Sequence, residues 1–502
     1  MQSPGKDARP VGSAAPYERH RPETTRLYQL VEAHYPVFVA QLATRGTPLP
    51  EYVQREFTDY LRCGRLEHGF LRVRCESCHA ERLVAFSCKR RGFCPSCGAR
   101  RMAESAALLV DEVLPAVPMR QWVLSFPFPL RFLFASRPKI MGKVLAIVYR
   151  VLATHLIHKA GFTHATARTG AVTLIQRFGG ALNLNVHFHM LLLDGVYVDS
   201  PAGPRFRWVK APSSAELRQL SHTIAHRVGR FLECQGLLVR DDESAQLTLN
   251  APDDDDPMHT LIGHSITYRI ATGPRQGQKV LTLQTLPAIN EPPDIGVGNV
   301  SGFSLHAGVA AKANERHKLE RLCRYIARPA VSEKRLSLTA HGQVRYSLKT
   351  PWHDGTTHVI FERGGPPPLD FIARLAALVP KPRVNLTRYH GVLAPNSQYR
   401  ALITPAQRGK GRKPQTSDSP ADRTPIERHA AMTWAQRLKR VFNIDITTCQ
   451  DCGGAMKVIA CIEDPDVIQK ILTHLQLNTE TTASRALPEP RAPPISDLFD
   501  TL

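Results

Sequence analysis

Two histidines one residue apart, His187 and His189, stand in the segment ALNLNVHFHMLLLD at residues 181–194. Leu182, Leu184, Val186, Phe188, Met190 and Leu192 take its even positions; Asn183, Asn185, His187 and His189 take odd ones. Strict alternation is the pattern of one β-strand with an apolar face and a second, different face. Both imidazoles project from that second face, where a pair can hold a divalent metal. Such a site needs a further ligand, and Gln176, Asn185, Asp194 and His306 are candidates. Asn185 shares the histidine face. Asp194 has the opposite parity and would need a bulge. His306 lies in GFSLHAG, well downstream.

A second reactive side chain is Tyr325, in NERHKLERLCRYIARP at residues 314–329. Leu319, Leu322, Cys323 and Ile326 repeat at helical spacing and form an apolar stripe. Tyr325 falls at the edge of the stripe. Lys318, Arg321 and Arg328 are its i−7, i−4 and i+3 neighbours, which gathers three cations on one helical face. Cations stabilise a phenolate and attract a phosphodiester. A tyrosine so placed can attack a phosphate and stay covalently attached to it. The spacing also fits a tyrosine that caps a core.

Cys75-x2-Cys78 and Cys94-x2-Cys97 have the spacing of a structural zinc site with four thiolate ligands. Cys63, Cys88, His68 and His79 lie in the same module, and the two further thiols read as buried spares or as a second site. Arg90, Arg91, Arg100 and Arg101 rim the module and are expected to meet the DNA backbone, as are Lys318, Arg321 and Arg328. Near the other end, Cys449-x2-Cys452, Gly453-Gly454 and Cys461 resemble half a zinc ribbon. His474 or a partner chain would complete that shell; otherwise the segment is a turn with buried thiols.

These groups must be positioned by a chain of 502 residues with 65 Lys+Arg, 44 Asp+Glu and a formal net charge of +21. Such a surplus calls for an anionic partner, and nucleic acid is the common one. An uninterrupted apolar run of about 18 residues is lacking, so no membrane partner is expected. The first residues carry no apolar signal segment, and eleven cysteines then imply reduced thiols and metal.

Helical patterns cover 24–61, 100–114, 143–159, 215–235, 314–328 and LDFIARLAALV. Strand patterns cover the stretch around Trp122, Leu124, Phe126 and Phe128, then AVTLIQRF (171–178), SITYRIA (265–271), KVLTLQT (279–285) and a hairpin VRYSLKT/THVIFER. The mixture predicts an α+β fold. The expected division is a disordered lead-in at 1–23, a helical zinc-binding domain at 24–114 and a large domain at 115–403. A basic linker at 404–428, a small CxxC unit at 429–480 and a disordered tail at 481–502 follow.

Taken together, CESCHAERLVAFSCKRRGFCPSCGARR, LNLNVHFHML, LERLCRYIARPA, YSLKTPWHDGTTHVIF and RYHGVLAPN resemble rolling-circle transposases of the insertion-sequence-91 type, common-region elements included. These are HUH single-strand endonucleases, and the resemblance covers about residues 25–400. It implies an antiparallel sheet flanked by helices, Mg²⁺ or Mn²⁺ on His187 and His189, and Tyr325 as nucleophile. It also implies zinc on Cys75, Cys78, Cys94 and Cys97. The implied substrate is a single-stranded or hairpin transposon end, nicked through a 5′-phosphotyrosine in the bacterial cytoplasm, at the nucleoid, by a protein that can oligomerise. Members with two tyrosines place them one helical turn apart; Pro329 stands four residues after Tyr325, so this chain resembles the single-tyrosine branch. Tyr389 in RYHG reads as structural. The alternatives are a plasmid relaxase or replication initiator, and a zinc-dependent DNA-binding regulator without catalysis. No phosphate-binding G-x-x-x-x-G-K-[ST] loop is present, as fits a reaction that keeps bond energy in a phosphotyrosine.

Overall fold

The computed structural model describes residues 21–240, 245–247, 257–288, 297–361, 369–407 and 447–475. The lead-in up to residue 20, most of the acidic PDDDDP, nearly all of the basic linker and the tail lie outside the described residues. Helix and antiparallel sheet are mixed throughout, which makes the fold α+β.

The chain forms two units that cut across the expected zinc domain. Residues 24–61 and 89–423 belong to the larger, whereas 62–88 group with the C-terminal residues in the smaller. Sequence order suggested a boundary near 114 and a separate terminal unit. In the structure the C-terminal segment instead pairs as a strand with Phe70–Cys75.

The larger unit is organised around a six-stranded antiparallel sheet. Its order is Val297–Val300, Phe303–Ala311, Met119–Ser125, Leu184–Leu193, Gly170–Phe178 and Thr387–Gly391. The histidine strand, Leu184–Leu193, therefore lies inside the sheet with a full partner on each side. Both of its faces are buried, because helices cover the sheet on both sides.

On the even face Phe188 meets Phe126 edge-on at 4.9 Å, and Phe126 meets Phe134 of the helix Phe128–Ser136 at the same distance. Pro127 caps that helix, which is why the strand ends at Ser125 and not at Phe128. On the odd face Leu191, Leu193, Met119 and Val172 pack against Leu319, Leu322, Cys323 and Ile326 of the helix Arg316–Ile326. The same cluster takes in Ala106 of the helix Pro95–Leu108 and the π-helical turn Leu109–Val113 that extends it. Arg316 fixes the start of the tyrosine helix by donating to the carbonyls of Val110, Leu114 (3.0 Å) and Pro115 (3.1 Å).

One helix, Pro138–Lys159, is long and apolar enough by length and composition to cross a membrane. Its Val144, Leu145, Val148 and Leu152 are buried inside the protein, and Lys159 pairs with Glu216 of the helix Ser214–Cys234 at 2.6 Å. SITYRIA, read as a strand, instead contains the end of a helix, Pro257–Ile266. Met258, Leu261, Ile262 and Ile266 are its buried residues, a helical spacing that begins before the segment taken as a strand.

The smaller unit carries a three-stranded antiparallel sheet in the order Met456–Ile462, Phe70–Cys75, Glu81–Ala85. Phe70 pairs with Ile462 and Cys75 with Met456, so the C-terminal segment supplies an edge strand to the N-terminal cysteine hairpin.

Asp194 accepts two hydrogen bonds from Arg120, at 2.9 and 2.8 Å, and both residues are buried at the end of the histidine strand. Removing one partner of such a pair leaves an uncompensated charge. Asp194→Ala should lower stability by about 3–5 kcal/mol, read as a fall in the urea midpoint. Divalent-ion binding should be unchanged, because Asp194 has the parity of the phenylalanine face.

Candidate functional site

His187 and His189 face each other on the odd side of the sheet, Nε2 to Nε2 at 3.1 Å. The remaining nitrogens are both engaged. His187 Nδ1 donates to the Asn185 carbonyl at 2.9 Å, and the Gln121 side-chain amide lies 2.7 Å from His189 Nδ1. Relative exposures of 8 % and 5 % put both rings out of bulk water. Burial pushes His187 down to about 4; its bond to Asn185 opposes this, and Arg328 and Arg131 reinforce it. Burial, His187 and Arg328 hold His189 well below the usual histidine range. Both rings are therefore neutral near pH 7 and offer lone pairs, as metal binding requires.

The donor set fits a divalent ion. Two nitrogens about 2.1 Å from one ion and at right angles to each other stand about 3 Å apart, which is the separation found. With Nδ1 of His187 protonated, its Nε2 is free to bind. For His189 a half-turn of the Gln121 amide would present oxygen to a protonated Nδ1 and free Nε2 in the same way. Gln121 escaped the sequence reading. Its signal was a polar residue at a buried position of the strand MRQWVLS, opposite Leu191 of the histidine strand.

The candidate third ligands separate clearly. Asp194 is excluded by its bidentate pair with Arg120 on the other face. His306 pairs in register with Val123, which pairs with His189, so it sits two strands away. Among the described residues no third histidine, cysteine or carboxylate atom joins the pair. Gln176, the register partner of His187, donates to the Ile326 carbonyl at 2.9 Å and ties the end of the tyrosine helix to the sheet. Asn185 Oδ1 is buried and has no hydrogen-bond partner. A buried unpaired amide oxygen is costly and asks for an explanation.

Tyr325 leaves the helix on the histidine side. Its ring meets His189 edge-on, with centroids 6.4 Å apart. Arg328 lies 4.3 Å and Lys349 5.0 Å from the ring centroid. Burial pushes the phenol up, but the charge and hydrogen bond of Arg328, with Lys349, outweigh it and leave the phenol below its usual range. The helical-face expectation is thus met only by Arg328. Lys318 pairs with Glu315 at 3.4 Å and Arg321 is exposed. Lys349 comes from the hairpin after Val344–Ser347, a long-range neighbour with no helical spacing to announce it. Arg328 Nη1 is buried without a hydrogen-bond partner. Tyr389, by contrast, packs on the core under Arg400.

Of the four arginines that rim the cysteine module, three make hydrogen bonds within the fold. Arg90 donates to Asp59 at 2.6 Å, Arg91 to the Val384 carbonyl at 2.7 Å, and Arg101 to the carbonyls of Lys89 and Arg90. Arg100 is half-buried on the helix Pro95–Leu108. Spacing could not reveal this, since carbonyl acceptors leave no mark in the side-chain pattern.

The expected zinc quartet is also rearranged. Cys75 and Cys78 stand with Cys449 and Cys452 in the smaller unit. Cys94 caps the helix Pro95–Leu108 and Cys97 lies in its first turn, both buried in the larger unit. Cys88 N–H points to Cys63 Sγ at 3.3 Å.

Comparison with known families gives two matches. The transposase family Y2_Tnp matches residues 170–400, which include the histidine strand and the tyrosine helix. The transposase zinc-binding domain of the insertion-sequence-91 type matches residues 30–126. The second match and the gathered thiols together support structural zinc in this chain. No curated protein and no solved structure matches it.

Because the fold lowers the pKa of His187 from 6.5 to about 4, the neutral ring is the form it stabilises. That contribution is complete above pH 6.5 and is lost as pH falls towards 4, where the unfolded chain takes up the proton first. Thermal midpoints without added divalent ion should therefore drop over this window. The drop should be shallower in His187→Gln, and equal slopes in the two proteins would contradict the assignment.

Proposed function

We propose, for a chain that belongs to the insertion-sequence-91 type of transposase and so acts on DNA, that it nicks a single transposon strand with Tyr325. The observation that carries this is the phenol set between His189 and the two cations Arg328 and Lys349. The substrate is a single-stranded or hairpin transposon end.

His187 and His189 would hold Mg²⁺ or Mn²⁺, with Asn185 Oδ1 as third protein ligand. Bound there, a divalent ion would supply Lewis-acid polarisation of a phosphate oxygen and offset charge in the transition state. Arg328 and Lys349 favour the phenolate and draw the phosphodiester to it. The Tyr325 oxygen attacks phosphorus, the P–O3′ bond breaks and the leaving oxygen takes up a proton from water. The products are a 5′-phosphotyrosine and a free 3′-OH, and the stored ester bond allows later strand transfer without ATP. Gln121 keeps His189 in its tautomer, and Gln176 keeps the end of the tyrosine helix in register with His187.

A relaxase or replication initiator would use the same chemistry on another target. A regulator without catalysis has no need for neutral buried histidines beside a cation-flanked tyrosine.

Tyr325→Phe should form no covalent adduct with an oligonucleotide carrying the transposon end, with nicking reduced on the order of 10⁴-fold or more. An adduct in that variant would sink the assignment. Arg328→Ala should cost roughly 10²–10³-fold in nicking. His187→Ala with His189→Ala should end metal-dependent nicking yet spare salt-sensitive DNA binding. Asn185→Ala should raise the Mn²⁺ concentration needed for half-maximal nicking, whereas Asn185→Asp should restore it.

A further inference from the structure

Four thiols from two distant segments converge in the smaller unit. Cys75 Sγ lies 3.4 Å from Cys452 Sγ, across 377 residues of sequence, and Cys78 Sγ lies 3.5 Å from Cys449 Sγ. All four sulfurs fall within 4.8 Å of one another. Sulfurs about 2.3 Å from one tetrahedral ion stand about 3.8 Å apart, so the group has the size of a four-thiolate zinc shell. The separations are too long for disulfides, whose sulfurs stand about 2.0 Å apart.

The two segments are folded alike. Cys75 N–H donates to the Ala80 carbonyl at 2.9 Å, and Cys449 N–H to that of Gly454 at 2.7 Å. His79 N–H donates back to the Cys75 carbonyl at 3.2 Å, and Gly453 N–H to that of Cys449 at 3.0 Å. The residue after the second cysteine is left-handed in both, His79 at φ 61° and Gly453 at φ 74°. A backbone N–H also points at one sulfur in each, though at different positions: Ser77 to the first cysteine, Cys75, and Gly454 to the second, Cys452, both at 3.4 Å. Such turns present two sulfurs on one side and supply hydrogen bonds that favour thiolate.

The turns are also built to meet. Glu76 N–H donates to the Ala455 carbonyl at 2.9 Å, directly after the second turn. A Cβ on Gly454 would lie 2.4 Å from Ser77 Oγ and 3.0 Å from Cys75 Sγ, so only glycine permits the approach. The strand Met456–Ile462 then continues the contact along Phe70–Cys75.

We propose that Cys75, Cys78, Cys449 and Cys452 are the ligands of one structural zinc ion that closes the smaller unit. The matched zinc-binding region, residues 30–126, contains only half of this set. The C-terminal segment is thereby a part of the zinc fold and not an appendage. On binding, the ion takes the place of the thiol protons, which pass to solvent. Four S–Zn bonds form; nothing is oxidised or reduced. This inference stands independently of the nicking reaction.

The test is the zinc content of the full-length protein and its variants. Cys75→Ser with Cys78→Ser should remove about one equivalent of zinc. Cys449→Ser with Cys452→Ser should remove the same equivalent, and all four substitutions together should remove no more. Additive losses would mean separate ions, and unchanged zinc in the C-terminal double variant would mean that the N-terminal cysteines bind without it; either result overturns the proposal. If the serine variants do not fold, Cys452→His keeps a nitrogen ligand in place. It should retain zinc, and after cobalt substitution its absorption should change from a four-thiolate to a three-thiolate, one-nitrogen pattern. An unchanged cobalt spectrum in that variant would also overturn it.

Discussion

The arrangement of the larger unit depends on one burial requirement. The helix Arg316–Ile326 has an apolar stripe, and the odd face of the histidine strand turns apolar at Leu191 and Leu193. Each buries the other, and the strand's polar half, His187 and His189, is left beside the end of the helix where Tyr325 emerges. Burial of a Leu or Ile side chain is worth about 1.5–3 kcal/mol, so this seam outweighs any single polar contact in the site. The polar contacts refine it: Gln176 holds the Ile326 carbonyl, and Arg316 holds the π-turn at the other end.

The same burial sets the electrostatics. Taking the imidazoles out of water disfavours their charged forms and keeps their nitrogens available as ligands. The phenol experiences the opposite balance, because Arg328 and Lys349 outweigh its desolvation. Neutral donors and an acidified phenol thus stand side by side through differences in neighbours alone. Asn185 Oδ1 and Arg328 Nη1 are both buried without hydrogen-bond partners.

Local pattern made much of this legible. The alternation over 181–194 gave the strand, the 3.6-residue stripe gave the tyrosine helix, and the hairpin around HDG appears as Val344–Ser347 paired with Thr356–Phe361. Where the structure departs from or adds to the local pattern, the cause lies beyond the local window. SITYRIA holds only the end of a helix that begins earlier, and Arg90, Arg91 and Arg101 have acceptors in distant or backbone groups. Asp194 found Arg120 across the sheet.

By itself the sequence determined which faces His187, His189 and Tyr325 occupy, because periodicity and residue type fix the side of a strand or helix on which a residue falls. It also showed two CxxC pairs in the N-terminal part and one towards the other end. Tertiary structure alone decided which cations reach Tyr325, which amide meets His189 and which cysteines stand together. Those are pairings between segments up to 377 residues apart. Strand register and helix packing select such pairings, and neither leaves a signature in the spacing of neighbouring residues.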